Sequence, residues 1–210
     1  MAISVLILGE SGTGKSASMR NLDPATTLLI QSVRKPLPFR SAEWKPITKD
    51  GGNVYVSDSS EAIVKVLERT KRDVVVIDDF QYIMANEFMR RSAEKGFEKF
   101  NDIGRHAWDI YNAINNIAEN KRVYVLNHTD TDTFGNCRAK TIGKMLDDKI
   151  TVEGLFTIVM RTRVEDGKYH FATKNSGSDT VKTPMGMFED ALIENDLAAI
   201  DAVIKSYYGV

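Results

Sequence analysis

A glycine-rich segment near the start of the chain combines residue types that could hold a phosphate group. Residues 9–16 read GESGTGKS and fit the pattern G-x-x-x-x-G-K-[ST] at every fixed position. In such a loop, glycines let backbone N–H groups turn toward a phosphate, while the lysine ammonium reaches the terminal phosphates and the hydroxyl ligates Mg²⁺. The predicted binding residues are this glycine loop (residues 9–16) and the residue after it: Gly9, Glu10, Ser11, Gly12, Thr13, Gly14, Lys15, Ser16 and Ala17.

Two adjacent carboxylates follow an apolar run in the middle of the chain. Residues 74–77 read VVVI and are followed by Asp78 and Asp79, as expected where a buried strand ends. Ser16 and Asp78 are predicted to hold Mg²⁺, with the aspartate acting through water. Asp79 has two interpretations: it polarises an attacking water, or it caps the helix that follows.

Apolar strands alternate with helical patterns along most of the chain. Four short runs, at residues 3–8, 26–30, 74–77 and 123–126, are typical of strands buried on both faces of a parallel sheet. The other predicted elements are a strand at 54–56, helices at 16–22, 61–70, 97–120 and 196–207, a hairpin of strands 156–164 and 169–173, and irregular segments at 31–53 and 127–148. The sequence therefore predicts one α/β domain over residues 1–210, with a mostly parallel sheet flanked by helices and a late antiparallel hairpin.

The order of these features resembles the RecA-like branch of P-loop ATPases. The resemblance covers residues 3–188 and is nearest to small core-only phage proteins linked to recombination and single-strand annealing. It implies a P-loop NTPase fold, ATP and Mg²⁺ as ligands, and an ATPase with Lys15 and Asp79 as catalytic residues. It also implies that His128 senses the γ-phosphate, and that Lys174, with Lys182 as a second candidate, reaches the ATP of a neighbouring subunit in a ring or filament.

One position departs from that resemblance. Many RecA-like ATPases have a water-activating glutamate at the end of the second strand, where this chain has Gln31 and Ser32. Two interpretations remain open. Either Asp79 takes over the role, or hydrolysis is slow and ATP acts mainly as a conformational switch.

Two segments correspond to the loops that bind single-stranded DNA in RecA-like proteins. They are residues 88–105 and 129–149, and both interleave basic residues with aromatic ones, which suits a sequence-independent groove for a single strand. Both also contain acidic residues, so a solvated polar face is the alternative. The candidate DNA contacts are Arg90, Arg91, Lys95, Phe97, Lys99, Arg105, Phe134, Arg138, Lys140, Lys144 and Lys149.

The charge balance of the chain limits how it could bind nucleic acid. The 210 residues include 28 Lys and Arg against 29 Asp and Glu, for a formal net charge of −1. A polycation is therefore excluded, and a DNA site must be local. The single cysteine, Cys137, cannot form an internal disulfide, and no apolar run approaches the roughly 20 residues of a membrane span. Because the start of the chain lacks a secretory signal pattern, the expected location is cytoplasmic, with no membrane partner.

Three other functions compete with a DNA-acting ATPase. A nucleotide-switched accessory factor of replication or packaging fits the missing glutamate. A nucleotide kinase would share the glycine loop but usually has an arginine-rich lid, whereas Arg161 and Arg163 lie on a predicted strand. A GTPase is suggested by residues 127–130, NHTD, which approximate the guanine-reading N-K-x-D motif, although the glycine of D-x-x-G is missing after Asp78.

Overall fold

The fold is a mixed β-sheet with helices on both faces, seen in a computed structural model that describes residues 1–143, 146 and 149–210. The strands are β1 (Ile3–Gly9), β2 (Thr27–Gln31), β3 (Val54–Val56), β4 (Val74–Asp78), β5 (Arg122–Thr131), β6 (Cys137–Ala139), β7 (Ile158–Glu165), β8 (Lys168–Ala172) and β9 (Leu192–Glu194). The helices are α1 (Ser60–Arg69), α2 (Gln81–Arg90), α3 (Glu98–Asn116) and α4 (Leu197–Tyr208), with 3₁₀ helices at Ser16–Asn21 and Val152–Leu155.

Six neighbouring strands of the sheet run parallel. They lie in the order β3, β2, β4, β5, β1 and β7, and β8 and β9 extend the β7 edge in antiparallel fashion. Every residue of β2 and β4 is buried, which explains their continuous apolar sequences. Because β5 pairs with both β1 and β4, the C-terminal ends of these three strands meet at one edge of the sheet.

The strands carry a separate hydrophobic core on each face, because successive side chains point to opposite sides. Leu6 and Leu8 of β1 pack with α1, α2 and α3, whereas Val5 and Ile7 pack with α4 and the first 3₁₀ helix. The irregular segment after β2 covers part of this second face through Trp44. The sheet is thus the middle of three layers, and its C-terminal edge is supported from both sides.

Most predicted elements are confirmed, with differences at their ends. The hairpin turn has Asp166 and Gly167 at φ angles of 50° and 72°, the positive values that a two-residue Asp-Gly turn requires. The long helix ends four residues earlier than predicted, because Ile117 is already extended after Asn116. The helix predicted at 16–22 is a 3₁₀ helix of six residues.

The prediction of an irregular loop at residues 127–148 is wrong for its first part. β5 continues to Thr131 and pairs antiparallel with β6. Between the two strands, the Asp132 carboxylate accepts the backbone N–H groups of Phe134 and Asn136. The end of β5 is polar and increasingly exposed, so it lacks the apolar pattern by which the other strands were found.

The first predicted DNA segment is also largely helical rather than a loop. α2 continues to Arg90 and α3 begins at Glu98, so residues 91–97 alone connect the two helices. Among the residues that the structure describes, none of the helices combines the length and the apolar character needed to cross a membrane.

Candidate functional site

A cleft of about 500 Å³ lies where the C-terminal ends of β1, β4 and β5 meet. Gly9 at the end of β1 pairs in register with His128 of β5, and Asp78 ends β4 on the other side of β5. The cleft brings together eight of the predicted site residues: Ser11, Gly12, Gly14, Lys15, Ser16, Ala17, Asp79 and His128. The sequence motif and the strand-end residues therefore share one site.

Three glycines of the glycine loop leave no favourable place for a side chain. Gly12 and Gly14 have φ angles of 80° and 95°, a region that other residues rarely adopt. A Cβ on Gly14 would lie 2.9 Å from the Tyr169 ring, and one on Gly9 would lie 1.9 Å from Thr162 Oγ1. The loop therefore needs glycine at these positions to follow its path beside the hairpin of β7 and β8.

The Lys15 side chain lies inside the glycine loop, and only 5% of the residue is exposed. Its Nζ donates to the backbone oxygens of Gly9 and Glu10 at 2.9 and 2.8 Å. Burial lowers the pKa of Lys15 to about 8, although the nearby carboxylates of Asp79 and Asp78 partly oppose this. An ammonium that is buried among neutral carbonyl groups is stabilised by a ligand that brings negative charge to it.

Ser16 and Asp78 form the oxygen pair that was predicted for Mg²⁺. The Ser16 hydroxyl lies 2.9 Å from both carboxylate oxygens of the buried Asp78. Burial, followed by the negative charge of Asp79, raises the pKa of Asp78 to about 6. Mg²⁺ prefers oxygen ligands and usually takes one or two from the protein, with waters and phosphate oxygens completing its shell. The pair fits this ion, because a dication would also relieve the unfavourable burial of the Asp78 charge.

Asp79 lies in an uncommon backbone conformation and faces the cleft. Its φ is 58°, in the left-handed region. Its carboxylate pairs with Lys35 and lies 3.5 Å from His128 Nε2. Burial alone would raise the pKa of Asp79, but the hydrogen bonds from His128 and Lys35 outweigh burial and lower it. The residue that precedes α2 is Phe80, so the geometry favours the interpretation of Asp79 as a cleft residue over that of a helix cap.

His128 connects the cleft to the hairpin of β5 and β6. Its ring packs edge-on against Tyr82, with 5.8 Å between the ring centroids. Its backbone oxygen accepts the N–H of Lys140, 2.8 Å away. The neighbouring Asn127 is fully buried and donates from Nδ2 to the Lys140 oxygen at 3.2 Å, while its Oδ1 has no partner among the described residues. A movement of the His128 backbone would therefore be passed to the hairpin through the hydrogen bond from Lys140.

Residues at the site that were not predicted from the sequence include Lys35, Pro38, Tyr82, Arg161, Thr162 and Tyr169. Thr162 Oγ1 lies 2.6 Å from Thr13 Oγ1, and the Arg161 guanidinium lies 3.9 Å from the Glu10 carboxylate. These contacts follow from the pairing of β7 with β1, which hydrophobic patterns do not reveal. A prediction that β7 pairs with β1 would have placed Arg161 and Thr162 beside the glycine loop.

A second cleft of about 800 Å³ adjoins the first. The two share Ala17 and Tyr169 in their walls. On its other side, Arg20 donates to the backbone oxygen of Asn195 and pairs with Glu194. Asn195 is buried beside Gly14, and its Nδ2 has no partner within the described part of the chain. The concave surface thus continues from the glycine loop along the first 3₁₀ helix.

The lysines predicted to reach a neighbouring subunit lie outside these clefts. β8 runs antiparallel to β7, so the chain that follows β8 leads away from the glycine loop. Lys174 Nζ donates to the Glu189 backbone oxygen, and Lys182 pairs through its backbone with Val159. Their role toward a second copy stays a prediction.

The three arginines of the first DNA segment pair with nearby carboxylates. Arg91 contacts Glu87, Glu94 and Asp102 at distances of 2.8 to 3.0 Å. Around it, Arg90 pairs with Asp58, Arg105 pairs with Asp102 and Asp109, His106 lies 2.8 Å from Glu87, and the buried Lys99 donates to the backbone oxygens of Arg91 and Glu94. Phe97, by contrast, is 83% exposed. We call Arg91, Glu87, Glu94, Asp102 and His106 the Arg91 cluster.

The second DNA segment begins on the hairpin of β5 and β6 and adjoins the first segment. Phe134 at the hairpin turn is 88% exposed, and Arg138 lies 3.9 Å from Asp130. A Cβ on Gly143 would lie 3.2 Å from Phe100 Cβ on α3, so the two segments pack against each other. Three further charged residues of this segment, Lys144, Asp147 and Asp148, lie outside the described residues.

The fold and the site define an α/β protein with a mostly parallel sheet and a glycine-rich loop at the C-terminal end of its β1 strand, which is compatible with the P-loop and Rossmann-like folds. No protein-family model matches the chain. A comparison with the sequences of curated proteins finds no match either. The functional interpretation therefore depends on the chemistry of the site itself.

Proposed function

We propose that this chain is a Mg²⁺-dependent P-loop ATPase of the RecA-like type. The observation that carries the proposal is the meeting of the glycine loop, the buried Lys15 ammonium and the oxygen pair of Ser16 and Asp78 at one sheet edge. Backbone N–H groups and an ammonium suit phosphate, and the oxygen pair suits Mg²⁺. A site for ATP chelated to Mg²⁺ requires both the phosphate-binding groups and the oxygen pair.

Lys15 has the central part in binding the triphosphate. Its Nζ exchanges the backbone oxygens of Gly9 and Glu10 for phosphate oxygens, and so regains the charge stabilisation that burial denies it. Ser16 and Asp78 would hold Mg²⁺, which neutralises charge on the β- and γ-phosphates when bound. As charge shifts toward the leaving oxygen, the Lys15 ammonium stabilises it.

Asp79 is the carboxylate that would orient the attacking water. Hydrolysis forms a bond from the water oxygen to the γ-phosphorus and breaks the bond to the oxygen that remains on ADP. A lowered pKa keeps Asp79 ionised, so it accepts a hydrogen bond from water. Just after β2, Ser32 Oγ donates to the backbone oxygens of Asp78 and Asp79 at 3.0 and 2.6 Å, and so holds the backbone that carries both carboxylates. Since no carboxylate stands at the end of β2, the role of orienting the water falls to Asp79.

The nucleoside of ATP would lie in the second cleft. Its wall includes Tyr169, an aromatic ring on which a base can stack, and Ala17 leaves the passage from the glycine loop open. A volume of about 800 Å³ is within the range of small-ligand pockets.

Phosphate release from ATP tests the proposal directly. Lys15→Ala should lower the rate at least about 100-fold, as removal of a group that stabilises developing charge does in other enzymes. Lys205→Ala, which removes an exposed lysine of α4, should leave the rate unchanged. Equal rates for Lys15→Ala and the wild type would refute the ATPase.

A second function, binding of single-stranded DNA, is proposed for the surface formed by residues 88–105 and 129–149. The exposed rings of Phe97 and Phe134 and the contact between Gly143 and Phe100 favour it. Stacking on aromatic rings does not need a high net charge, and the backbone link from His128 to Lys140 would couple the nucleotide to this surface.

The DNA proposal is tested by a single-stranded oligonucleotide in a salt series, with the ATPase rate and gel mobility as readouts. Phe134→Ala should weaken binding by about 1–3 kcal/mol for each base it stacks, while Tyr207→Ala, an exposed ring on α4, serves as the control. With neither stimulation nor a salt-dependent shift, the nucleotide-switched accessory factor becomes the better reading.

Assembly into a ring or filament is the remaining part of the proposal. Head-to-tail contacts would let Lys174 of one copy complete the nucleotide site of the next. In assemblies that mix wild-type and Lys174→Ala chains, the ATPase rate should fall as the share of variant chains rises, because each variant chain leaves the site of its neighbour incomplete. An unchanged rate would leave Lys174 as a surface lysine.

A further inference from the structure

Lys35 brings a second ammonium group to the cleft from the irregular segment after β2. Its backbone oxygen accepts a hydrogen bond from Gln31 Nε2 at 3.2 Å, which fixes the turn that presents the side chain. The side chain crosses to Asp79 and pairs with its carboxylate, yet remains 39% exposed. Lys15 is enclosed by the glycine loop, whereas Lys35 approaches the same cleft from the solvent side.

The charges of four residues in and beside the cleft balance one another. Lys15 and Lys35 offset Asp78 and Asp79, and all four lie close enough to influence one another. A triphosphate remains negatively charged after Mg²⁺ binds to it. Its arrival therefore requires cationic groups at the phosphates, and it repels the carboxylate that Lys35 now contacts.

Of the three phosphates of ATP, the γ-phosphate is the one that Lys35 is placed to contact. In-line attack requires the water to stand on the far side of the γ-phosphorus from the leaving oxygen. Asp79 is the carboxylate assigned to that water, and Lys35 is its ion-pair partner. Lys35 therefore lies on the side of the γ-phosphate.

We propose that Lys35 is a second phosphate-binding residue, acting within the same chain, that binds the γ-phosphate of ATP and thereby loosens its ion pair with Asp79. This inference rests on the proposed function and deepens it. With ADP the pair of Lys35 and Asp79 persists, and with ATP the Asp79 carboxylate is released toward water and His128. The cleft thus distinguishes ATP from ADP without a residue from a neighbouring subunit.

A purely structural role for Lys35 makes a different prediction. If Lys35 only neutralises Asp79, its removal harms the protein by leaving a buried charge without its partner. Removal of both charges would then restore normal behaviour. If Lys35 binds the γ-phosphate, the preference for ATP over ADP depends on Lys35 whether or not Asp79 is charged.

The experiment measures the affinities of ADP and of a non-hydrolysable ATP analogue, each with Mg²⁺, by calorimetry. The variants are Lys35→Ala, Lys35→Arg, Asp79→Asn and the double variant of Lys35→Ala with Asp79→Asn. Lys35→Ala should lower the preference for the ATP analogue about tenfold, the size expected for one charge-assisted hydrogen bond, in both backgrounds. Lys35→Arg should keep most of the preference, and Arg34→Ala, an exposed cation of the same segment, should keep all of it.

Two results overturn the proposal. One is an unchanged preference in Lys35→Ala, and the other is a preference in the double variant equal to that of Asp79→Asn alone. If Lys35→Ala does not fold, the double variant, which buries no unpaired charge, decides the question against Asp79→Asn. If the wild type binds neither nucleotide, the proposed function and this inference fail together. A different set of results would overturn this inference alone. In that case both nucleotides bind to the wild type, Lys15→Ala weakens the binding of both, and Lys35→Ala leaves the ratio of their affinities unchanged.

Discussion

The cleft and the Arg91 cluster both gather several charged side chains, but hydrogen bonds dominate the pKa shifts in the cluster, whereas burial dominates them at Lys15 and Asp78. In the Arg91 cluster, hydrogen bonds between Arg91 and Glu94, and then with Asp102, raise the pKa of Arg91 and lower those of the two carboxyls. In the cleft, burial lowers the pKa of Lys15 to about 8 and raises that of Asp78 to about 6. Lys15 and Asp78 therefore resist their charged forms.

This difference separates a structural cluster from a binding site. Charges that satisfy one another at a partly exposed surface stabilise the fold modestly and need no ligand. Charges that are buried without enough partners are stabilised by a ligand of complementary charge, and perturbed groups in a cleft are a general mark of functional sites. Here Lys15 complements a phosphate and Asp78 complements a cation.

The largest expected effect compares two glycines with similar positive φ angles. Gly14 and Gly96 have φ angles of 95° and 91°, so an alanine at either position carries a left-handed cost of about 1–2 kcal/mol. At Gly14 the new Cβ also meets the Tyr169 ring at 2.9 Å, whereas at Gly96 no atom of the described residues lies within 4 Å. Gly14→Ala should lower the unfolding temperature more than Gly96→Ala and should also remove the rise in that temperature on addition of ATP.

Thermal denaturation with and without ATP and Mg²⁺ distinguishes the two variants. Gly96→Ala is the control for backbone strain and should keep the full response to ATP. Equal losses of stability together with equal responses to ATP would mean that Tyr169 does not restrict the glycine loop.

A smaller effect is expected from the titration of Lys15. Because burial lowers its pKa to about 8, the ammonium is present below that pH and lost above it. ATP affinity should be steady from pH 6.5 to 7.5 and should fall as pH rises through about 8.

The stability of the protein without ligand should depend on pH in the opposite direction. The contribution of Lys15 to the free energy of unfolding rises with pH from about 8 toward the ordinary pKa of 10.5, because the unfolded chain then binds more protons than the folded one.

The Lys15→Arg variant provides the check on this pH dependence. A guanidinium stays charged over the whole range, so the fall in ATP affinity at about pH 8 should disappear. Persistence of the same fall in Lys15→Arg would assign it to another group.

The smallest effect is expected in the Arg91 cluster. Arg91→Ala leaves the carboxylates of Glu87, Glu94 and Asp102 without their common cation. The unfolding temperature should fall slightly at low ionic strength and less at high salt, because salt screens exposed charges. ATP affinity should stay within about twofold of the wild type, since Arg91 does not line the cleft. A loss of affinity as large as that of Lys15→Ala would break the distinction between the two regions.

What the sequence predicts well is what neighbouring residues determine locally. The glycine loop is predictable because its fixed positions lie within eight consecutive residues, and Asp78 is predictable because an apolar strand ends there. Buried parallel strands are continuous apolar runs, so β1, β2 and β4 were assigned nearly to the residue.

What the sequence does not predict depends on strand pairing and on distant contacts. Lys35 lies in an irregular segment, and its role appears only when β2 and β4 are neighbours. Tyr169 covers Gly14 because β7 pairs with β1 and β8 with β7. Near Arg91, the carboxylates of Glu87 and Glu94 are sequence neighbours, whereas Asp102 comes from α3 and reaches Arg91 only through the packing of the two helices.

The central claim, that the glycine loop binds the phosphates of ATP, is tested most directly by calorimetric titration of ATP with Mg²⁺ into the wild type and Lys15→Ala. The account predicts one saturable site in the wild type and a roughly 10- to 100-fold loss of affinity in Lys15→Ala, the size of a hydrogen-bonded charge pair. Lys205→Ala should bind as the wild type does. Equal affinity of Lys15→Ala and the wild type for ATP would contradict the account.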